Sequence, residues 1–227
     1  MRRRTFLSGA ASLAGLHAAD TKRTLLLPND KADELGFRLM WYNPVMSLDP
    51  ATFRLSVGGL VEKPQSLSLD QLGRLPREKQ SSRLKCVQCW SARTEWAGFR
   101  LAQLVELAKP KKSARAIRID CADKWYEYFT LDQALSPRVL FALEMAGKPL
   151  PDQHGGPLRL IDPTRYGYKS AKLITAISFV EEGKGSMACD LGSFYTPDGE
   201  IQSGYDHPLD LGQNIRRKIR GGEITEY

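Results

Sequence analysis

Apolar and polar positions alternate through Phe53, Leu55 and Val57 and the run ends at Gly58-Gly59, which predicts a half-buried strand closed by a turn. Ser68 stands ahead of Leu69, Leu72 and Leu75 at helical spacing, so a short helix capped by the serine hydroxyl is expected there. The clearest amphipathic helix runs from Leu101 to Ala108, with Leu101, Leu104, Val105 and Leu107 on its apolar side, and Pro110 stops it. Ile117 and Ile119 alternate, and Trp125, Tyr126, Tyr128 and Phe129 suggest a second strand after them. Further strands are expected at Leu158 and Leu160 ahead of Pro163, and from Leu173 to Val180 before Gly183. Residues 20–50 hold Pro28, Pro44 and Pro50 with little periodicity and read as an extended arm. Strands outnumber helices and do not alternate with them as in a doubly wound sheet. An α+β fold with mixed sheets and short flanking helices follows, as one domain over residues 51–227 without internal repeats.

Composition changes this picture only at the N-terminus. No apolar run approaches the roughly 20 residues that span a bilayer. Residues 1–19 carry Arg2, Arg3 and Arg4 and no acid, then a mildly apolar stretch rich in Gly, Ala and Ser, then Ala18-Ala19. Arg3-Arg4-Thr5-Phe6-Leu7 resembles the twin-arginine export signal of bacteria, which implies a periplasmic protein carried across already folded. His17 lies where a small residue is preferred before Ala19, which leaves both cleavage and retention as an anchor open. Without those three arginines the 33 basic residues become 30 against 26 acidic, and the net charge falls from +7 to +4, ordinary for an enzyme. The basic clusters at 109–112 and 216–220 lack the interleaved aromatics of single-strand binding, so no nucleic-acid partner is expected.

Two segments carry chemistry. In Arg83-Leu-Lys-Cys86-Val-Gln-Cys89-Trp90-Ser91 the C-x-x-C spacing permits a redox dithiol, half of a zinc site, a haem attachment or two buried structural cysteines. Trp90 stands where haem attachment needs His, and neither Cys121 nor Cys189 completes a zinc site. The second segment, His154 to Lys172, mixes turn glycines with Arg159, Arg165, Lys169 and Lys172. Turn amides and cationic side chains of this kind suit an anion, although an exposed basic loop has the same composition. Gly167-Tyr-Lys169-Ser170 is not a Walker loop, because the upstream Gly and the Gly-Lys pair are missing.

Taken together, the segments resemble the molybdopterin-binding domain of the sulfite oxidase superfamily, especially the bacterial branch containing the catalytic subunit of periplasmic protein-methionine-sulfoxide reductase. The resemblance lies in Cys86-Val87-Gln88-Cys89-Trp90-Ser91, in Trp96-Ala-Gly98-Phe99-Arg-Leu101, and in Gly155-Gly-Pro157-Leu-Arg159-Leu160-Ile161-Asp-Pro163-Thr-Arg-Tyr166-Gly167-Tyr-Lys169-Ser-Ala-Lys172. It implies a sulfite-oxidase-like fold and a molybdenum–molybdopterin cofactor whose metal takes its protein thiolate from Cys86. A soft thiolate suits a dithiolene-bound metal, and Arg83 and Lys85 nearby favour the anion. It further implies that His154, Arg159, Ser170, Ala171 and Lys172 hold the pterin and its phosphate, that Cys121 adds a contact, and that Asn43, Met46 and Ser47 form an N-terminal contact segment. Arg165 and Tyr166 are expected to line the substrate mouth as cationic and phenolic donors.

The expected activity is oxygen-atom transfer, with reduction of S- or N-oxides such as methionine sulfoxide ahead of sulfite oxidation, and a separate redox partner such as a membrane haem protein or cytochrome. Two departures stand out. Gln88 occupies the position of a branch glutamate, and Cys89 is able to close a disulfide with Cys86 that would destroy the metal ligand. A non-catalytic binding module and a Cys86/Cys89 thiol-redox protein are the competing readings.

Overall fold

The computed structural model describes residues 32–38, 44–87, 91–192, 195–206 and 217–218. The export segment, Asn43, Gln88 and Cys89 lie outside them. Twelve strands occur among the described residues: β1 Arg54–Gly59, β2 Gln65–Ser68, β3 Glu78–Lys85, β4 Ser91–Phe99, β5 Ala116–Cys121, β6 Tyr126–Thr130, β7 Leu140–Met145, β8 Lys148–Pro149, β9 Arg159–Ile161, β10 Ile174–Val180, β11 Tyr205–Asp206 and β12 Arg217–Lys218. Three short helices join them: α1 Leu69–Gly73, α2 Leu101–Ala108 and α3 Leu131–Ala134.

Two five-stranded sheets organise the chain. The first runs β2-β1-β10-β5-β6 and is mixed, because β10 pairs parallel with β1 and antiparallel with β5. The second is antiparallel, β3-β4-β7-β8, with β9 also on β7. An α+β fold with short flanking helices is therefore observed. The expected strands at 54–59, 116–121, 126–130, 159–161 and 174–180 are all present, as are both expected helices.

Local chemistry accounts for the helix ends. The Ser68 hydroxyl accepts from the Gln71 amide at 3.2 Å while the Gln71 side chain accepts from the Ser68 amide at 2.9 Å, a reciprocal capping box. Helix α2 ends where Lys109 takes a left-handed conformation (φ 52°) and donates to Val105 O, just before Pro110.

The main core packs Leu55, Val57, Ile117, Ile119, Ile177 and Phe179 of the first sheet against α2 and the Phe99–Phe141 stack, whose centroids are 5.6 Å apart. Gly98 makes that contact possible, since a Cβ there would lie 1.9 Å from Phe141 O. A second cluster, with Trp96, Phe37 and Leu140, lies on the second sheet.

Strand β6 inverts the expectation from hydrophobicity. Glu127 and Phe129 point inward, whereas Tyr126 and Tyr128 flank the Arg118 guanidinium at 4.8 and 5.4 Å on the outer side. A cation over two rings and a Tyr128 hydroxyl within 2.8 Å of Arg118 make that outer register favourable.

Candidate functional site

Cys86 leaves the end of β3, where burial no longer alternates: Ser82, Arg83, Leu84 and Lys85 are all buried. Lys85 forms an isolated parallel bridge with Tyr166, and a Cβ on Gly167 would come within 3.3 Å of Lys85 O. The cysteine thus lies against the turn that carries the second sequence segment. Cys121 closes β5 in the other sheet and is buried, and burial with the Asp123 and Glu127 carboxylates pushes its thiol well up.

Lys172, just ahead of β10, joins the two cysteines. Burial pulls its ammonium down to about 7, helped by Arg159, while Asp123, Cys86 and Cys121 pull the other way, although the residue keeps some exposure. One cation therefore feels both sulfurs, one from each sheet. Gly155, at φ +91°, passes directly under it: a Cβ there would meet Lys172 Cβ at 2.5 Å.

His154 ends the 3-10 turn Asp152–His154, and its carbonyl accepts from Arg159 Nη1 at 2.8 Å. Arg159 is buried over the Trp96 ring at 5.1 Å and reaches Ser170 O at 3.4 Å. Burial lowers the guanidinium to about 9, so it stays charged at neutral pH. Burial, then the Arg159 charge, brings His154 down to about 4 and leaves it neutral. His154 Nδ1 and Arg159 Nε are both buried and have no hydrogen-bond partner among the described residues. Buried polar atoms rarely go unsatisfied, so this pair marks a place for a ligand with polar edges.

Ser170 is buried and its hydroxyl accepts from the Asp162 amide at 3.1 Å, while Ala171 is buried with its carbonyl accepting from Leu160 N at 2.8 Å. Arg165 is tied to the fully buried Asp162 at 2.5 Å. Tyr166, expected at an open mouth, is only 2% exposed: its hydroxyl accepts from Gln202 N at 3.0 Å, and its amide donates to Gly199 O at 2.8 Å. The segment 195–202 covers it. Its ring packs with Val87, Ala188 and Tyr195, and Cys86, Trp125 and Tyr168 lie against the same cluster. Met46 is 38% exposed, Ser47 is also exposed, and Asn43 lies outside the described residues.

The structure thus brings Cys86, Cys121, His154, Arg159, Ser170, Ala171 and Lys172 to one region where the ends of both sheets meet. Sequence reasoning missed two features. Lys169 is fully buried and donates to Glu127 Oε2 at 2.6 Å, Pro197 O at 2.8 Å and Tyr128 O at 3.0 Å. Glu127 also accepts from Ser186 Oγ at 2.7 Å and Trp125 Nε1 at 3.0 Å, and burial pushes its carboxyl up to about 7 against the pull of Lys169. This network ties β6 to the 167–169 turn and the segments around 186 and 197. The other missed feature is Asp33, 2.8 Å from His154 Nε2 and 121 residues away in sequence.

Among the described residues no group of three His, Cys, Asp or Glu side chains is placed to hold a metal ion. A metal on Cys86 would take its remaining ligands from the group that carries it. Nor is any helix among those residues long and apolar enough to cross a membrane.

Comparison with known proteins bears on the family and the fold. A family model described as the oxidoreductase molybdopterin-binding domain matches residues 42–188. The protein-methionine-sulfoxide reductase catalytic subunit MsrP of Ralstonia nicotianae is 39% identical over 152 residues, which is 60% of this chain and 46% of that protein. The same subunit of Xanthomonas axonopodis pv. citri is 35% identical over 193 residues, 78% of this chain and 59% of the relative. The chain spans about half the length of the curated relatives it matches. Among solved structures, the sulfane dehydrogenase SoxCD of Paracoccus pantotrophus superposes with a TM-score of 0.58 at 22% identity, over 61% of this chain and 41% of that one, which is a likeness of fold.

Proposed function

Because this chain belongs to the oxidoreductase molybdopterin-binding domain family, we propose that it works as a periplasmic oxygen-atom-transfer enzyme reducing sulfoxides, methionine sulfoxide among them. The observation that carries the reading is the convergence on one region of a thiol, a cation that feels it, and two unpartnered buried nitrogens. Those residues fit the family's cofactor: Cys86 would be its thiolate donor, Arg159 Nε and His154 Nδ1 would meet polar edges of the pterin, and Lys172 with the 170–172 turn would meet its anionic end. When bound, the group supplies two-electron redox chemistry at molybdenum and a place for the transferred oxygen.

The protein's own contribution is binding and electrostatics. Lys172 stabilises the Cys86 thiolate, since a cation beside a thiol favours the anion. The buried Tyr166 and Tyr195 back the thiol side against water, and the partly exposed Trp125 and Tyr168 of the same cluster offer aromatic surface to a thioether or sulfoxide. Arg165 borders that wall on the substrate side, with the buried Tyr166 ring behind it, Met46, Ser47 and Asn43 would complete the pterin contact from the arm, and Cys121 would support it from the opposite sheet. Similarity to methionine-sulfoxide reductase subunits supports this direction of transfer. Export through the twin-arginine signal at residues 1–19, ahead of the arm and the domain at 51–227, and a separate haem-type electron donor belong to the same proposal.

The test is molybdenum content, by plasma mass spectrometry, of wild type and Cys86→Ser from a host that makes the cofactor, followed by a dye-coupled sulfoxide assay. About one metal per wild-type chain, with an altered metal spectrum and at least a hundred-fold lower turnover in the mutant, is expected. Wild-type protein devoid of molybdenum would sink the proposal.

A further inference from the structure

Asp33 belongs to the arm, outside the residues 42–188 that the family model matches. Its two carboxylate oxygens have separate duties. Oδ1 accepts from the amides of Leu35 at 2.9 Å and Phe37 at 2.8 Å, and so shapes its own turn. Oδ2 lies 2.8 Å from His154 Nε2. Phe37, buried by this turn, meets the His154 ring edge-on at 5.4 Å and the Trp96 ring at 5.8 Å. The imidazole is thereby held from two sides by one short segment.

His154 is 6% exposed and has the Arg159 and Lys172 cations near it, which disfavour a third positive charge. A neutral imidazole carries one proton, and a carboxylate only accepts, so the proton belongs on Nε2. Nδ1 is then a bare lone pair, buried and without a partner. Arg159 Nε, bonded through its own guanidinium to the His154 carbonyl, is likewise unpartnered and is a donor, as is Trp96 Nε1 of the ring beneath it.

We propose that Asp33 is a positioning residue that locks His154 in the Nε2–H tautomer, so that Nδ1 and Arg159 Nε–H together offer one acceptor and one donor to an edge of a heterocycle bearing both an N–H and an acceptor atom. A phosphate oxygen does not satisfy that pair, because it would set its own lone pairs against Nδ1. The identity of the heterocycle as a pterin rests on the function proposed above; the tautomer does not.

The experiment uses the full chain labelled with 15N-histidine, prepared metal-free, as wild type, Asp33→Asn and Asp33→Ala. Two-bond 1H–15N correlation spectra at pH 7 read the tautomer, and His154→Gln assigns the signal among the three histidines. Wild type is expected to show a pyrrole-type Nε2 and a pyridine-type Nδ1. Asp33→Asn inverts this: Oδ1 stays with the Leu35 and Phe37 amides, Nδ2 now faces Nε2 and donates to it, and the proton moves to Nδ1. Asp33→Ala keeps the ring but gives a mixture, and covers the case in which the Asn variant does not fold.

Molybdenum retained per chain, in protein from a cofactor-producing host, is expected to fall about ten-fold in Asp33→Asn, the usual scale for partners that orient a ligand. A protonated Nδ1 in wild type, an unchanged tautomer in either folded variant, or inversion with full molybdenum retention would each overturn the proposal. Wild type lacking molybdenum but showing the Nε2–H tautomer would remove the cofactor reading alone.

Discussion

Replacing Lys169 by Met probes the buried network beneath the site. Lys169 is 1% exposed by side chain and Glu127 0%, and their charged atoms are 2.6 Å apart. The substitution removes an ammonium with three acceptors and leaves Glu127 with only the Trp125 and Ser186 donors, while Tyr128 O and Pro197 O lose a partner. Breaking one side of a buried pair costs about 3–5 kcal/mol, because the surviving charge stays desolvated. At pH 8, where wild-type Glu127 is ionised, a loss of about 4 kcal/mol is therefore expected, read as a shift of the urea midpoint with an unchanged slope.

The sign with pH is also set. The folded-state pKa of Glu127, about 7, lies above its unfolded value of 4.5 and rises further without Lys169, so above about pH 7 the folded variant holds a proton that the folded wild type has lost. The deficit must therefore shrink by about 1 kcal/mol as pH falls from 8 to 7 and level off below, where wild-type Glu127 is protonated as well. Adding Glu127→Leu, which removes the orphaned charge, should bring the double variant back to within about 2 kcal/mol of wild type. A Lys169→Met loss under about 1 kcal/mol at pH 8, or a double variant no better than the single, would refute the reasoning.

Two further perturbations read other parts of the fold. Gly98→Ala places a methyl 1.9 Å from Phe141 O in the β4–β7 ladder, so the strands must separate; a melting temperature lower by at least about 8 °C, or insoluble protein, is expected on a thermal scan. His154, with a folded pKa of about 4 against 6.5 unfolded, contributes stability that is present above pH 6.5 and lost as pH falls toward 4. Urea titrations of the metal-free chain should show wild type losing about 2 kcal/mol more than His154→Gln over that window, a figure set below the full shift for residual solvent screening; equal slopes would contradict it.

What was legible in the sequence follows from how local each signal is. Strand β1 and helices α1 and α2 show in the pattern because each buries an apolar face of its own period, and Ser68 and Pro110 mark their ends. Strand β3 does not show, because the buried end of the strand is mostly polar: Ser82, Arg83 and Lys85 lie inside, and Leu84 alone of the four joins the apolar cluster. Strand β7, Leu140–Met145, is nearly continuous apolar sequence with no alternation to read.

The site divides in the same way. Cys86, His154, Arg159 and Lys172 sit in two compact motifs and are recognisable there. Asp33 and Glu127 are ordinary surface-type residues in sequence, and only the fold sets them against His154 and Lys169 across 121 and 42 positions. No periodicity reports a partner that far away.

The place of β10 in the first sheet governs the order in which the molecule is completed. It pairs with β1 at Ser56↔Ala176 and with β5 at Ile119↔Ile177, so both neighbours keep a bare edge until the ribosome has passed Val180. Lys172 leads directly into that strand and is fixed only when it docks. A nascent chain of 170 residues thus has neither a closed sheet nor a pocket, and unpaired edges of this kind invite wrong pairing while they last. Any ligand that Lys172 helps to hold would therefore enter after translation has passed β10, and its retention would report correct assembly of the central strand.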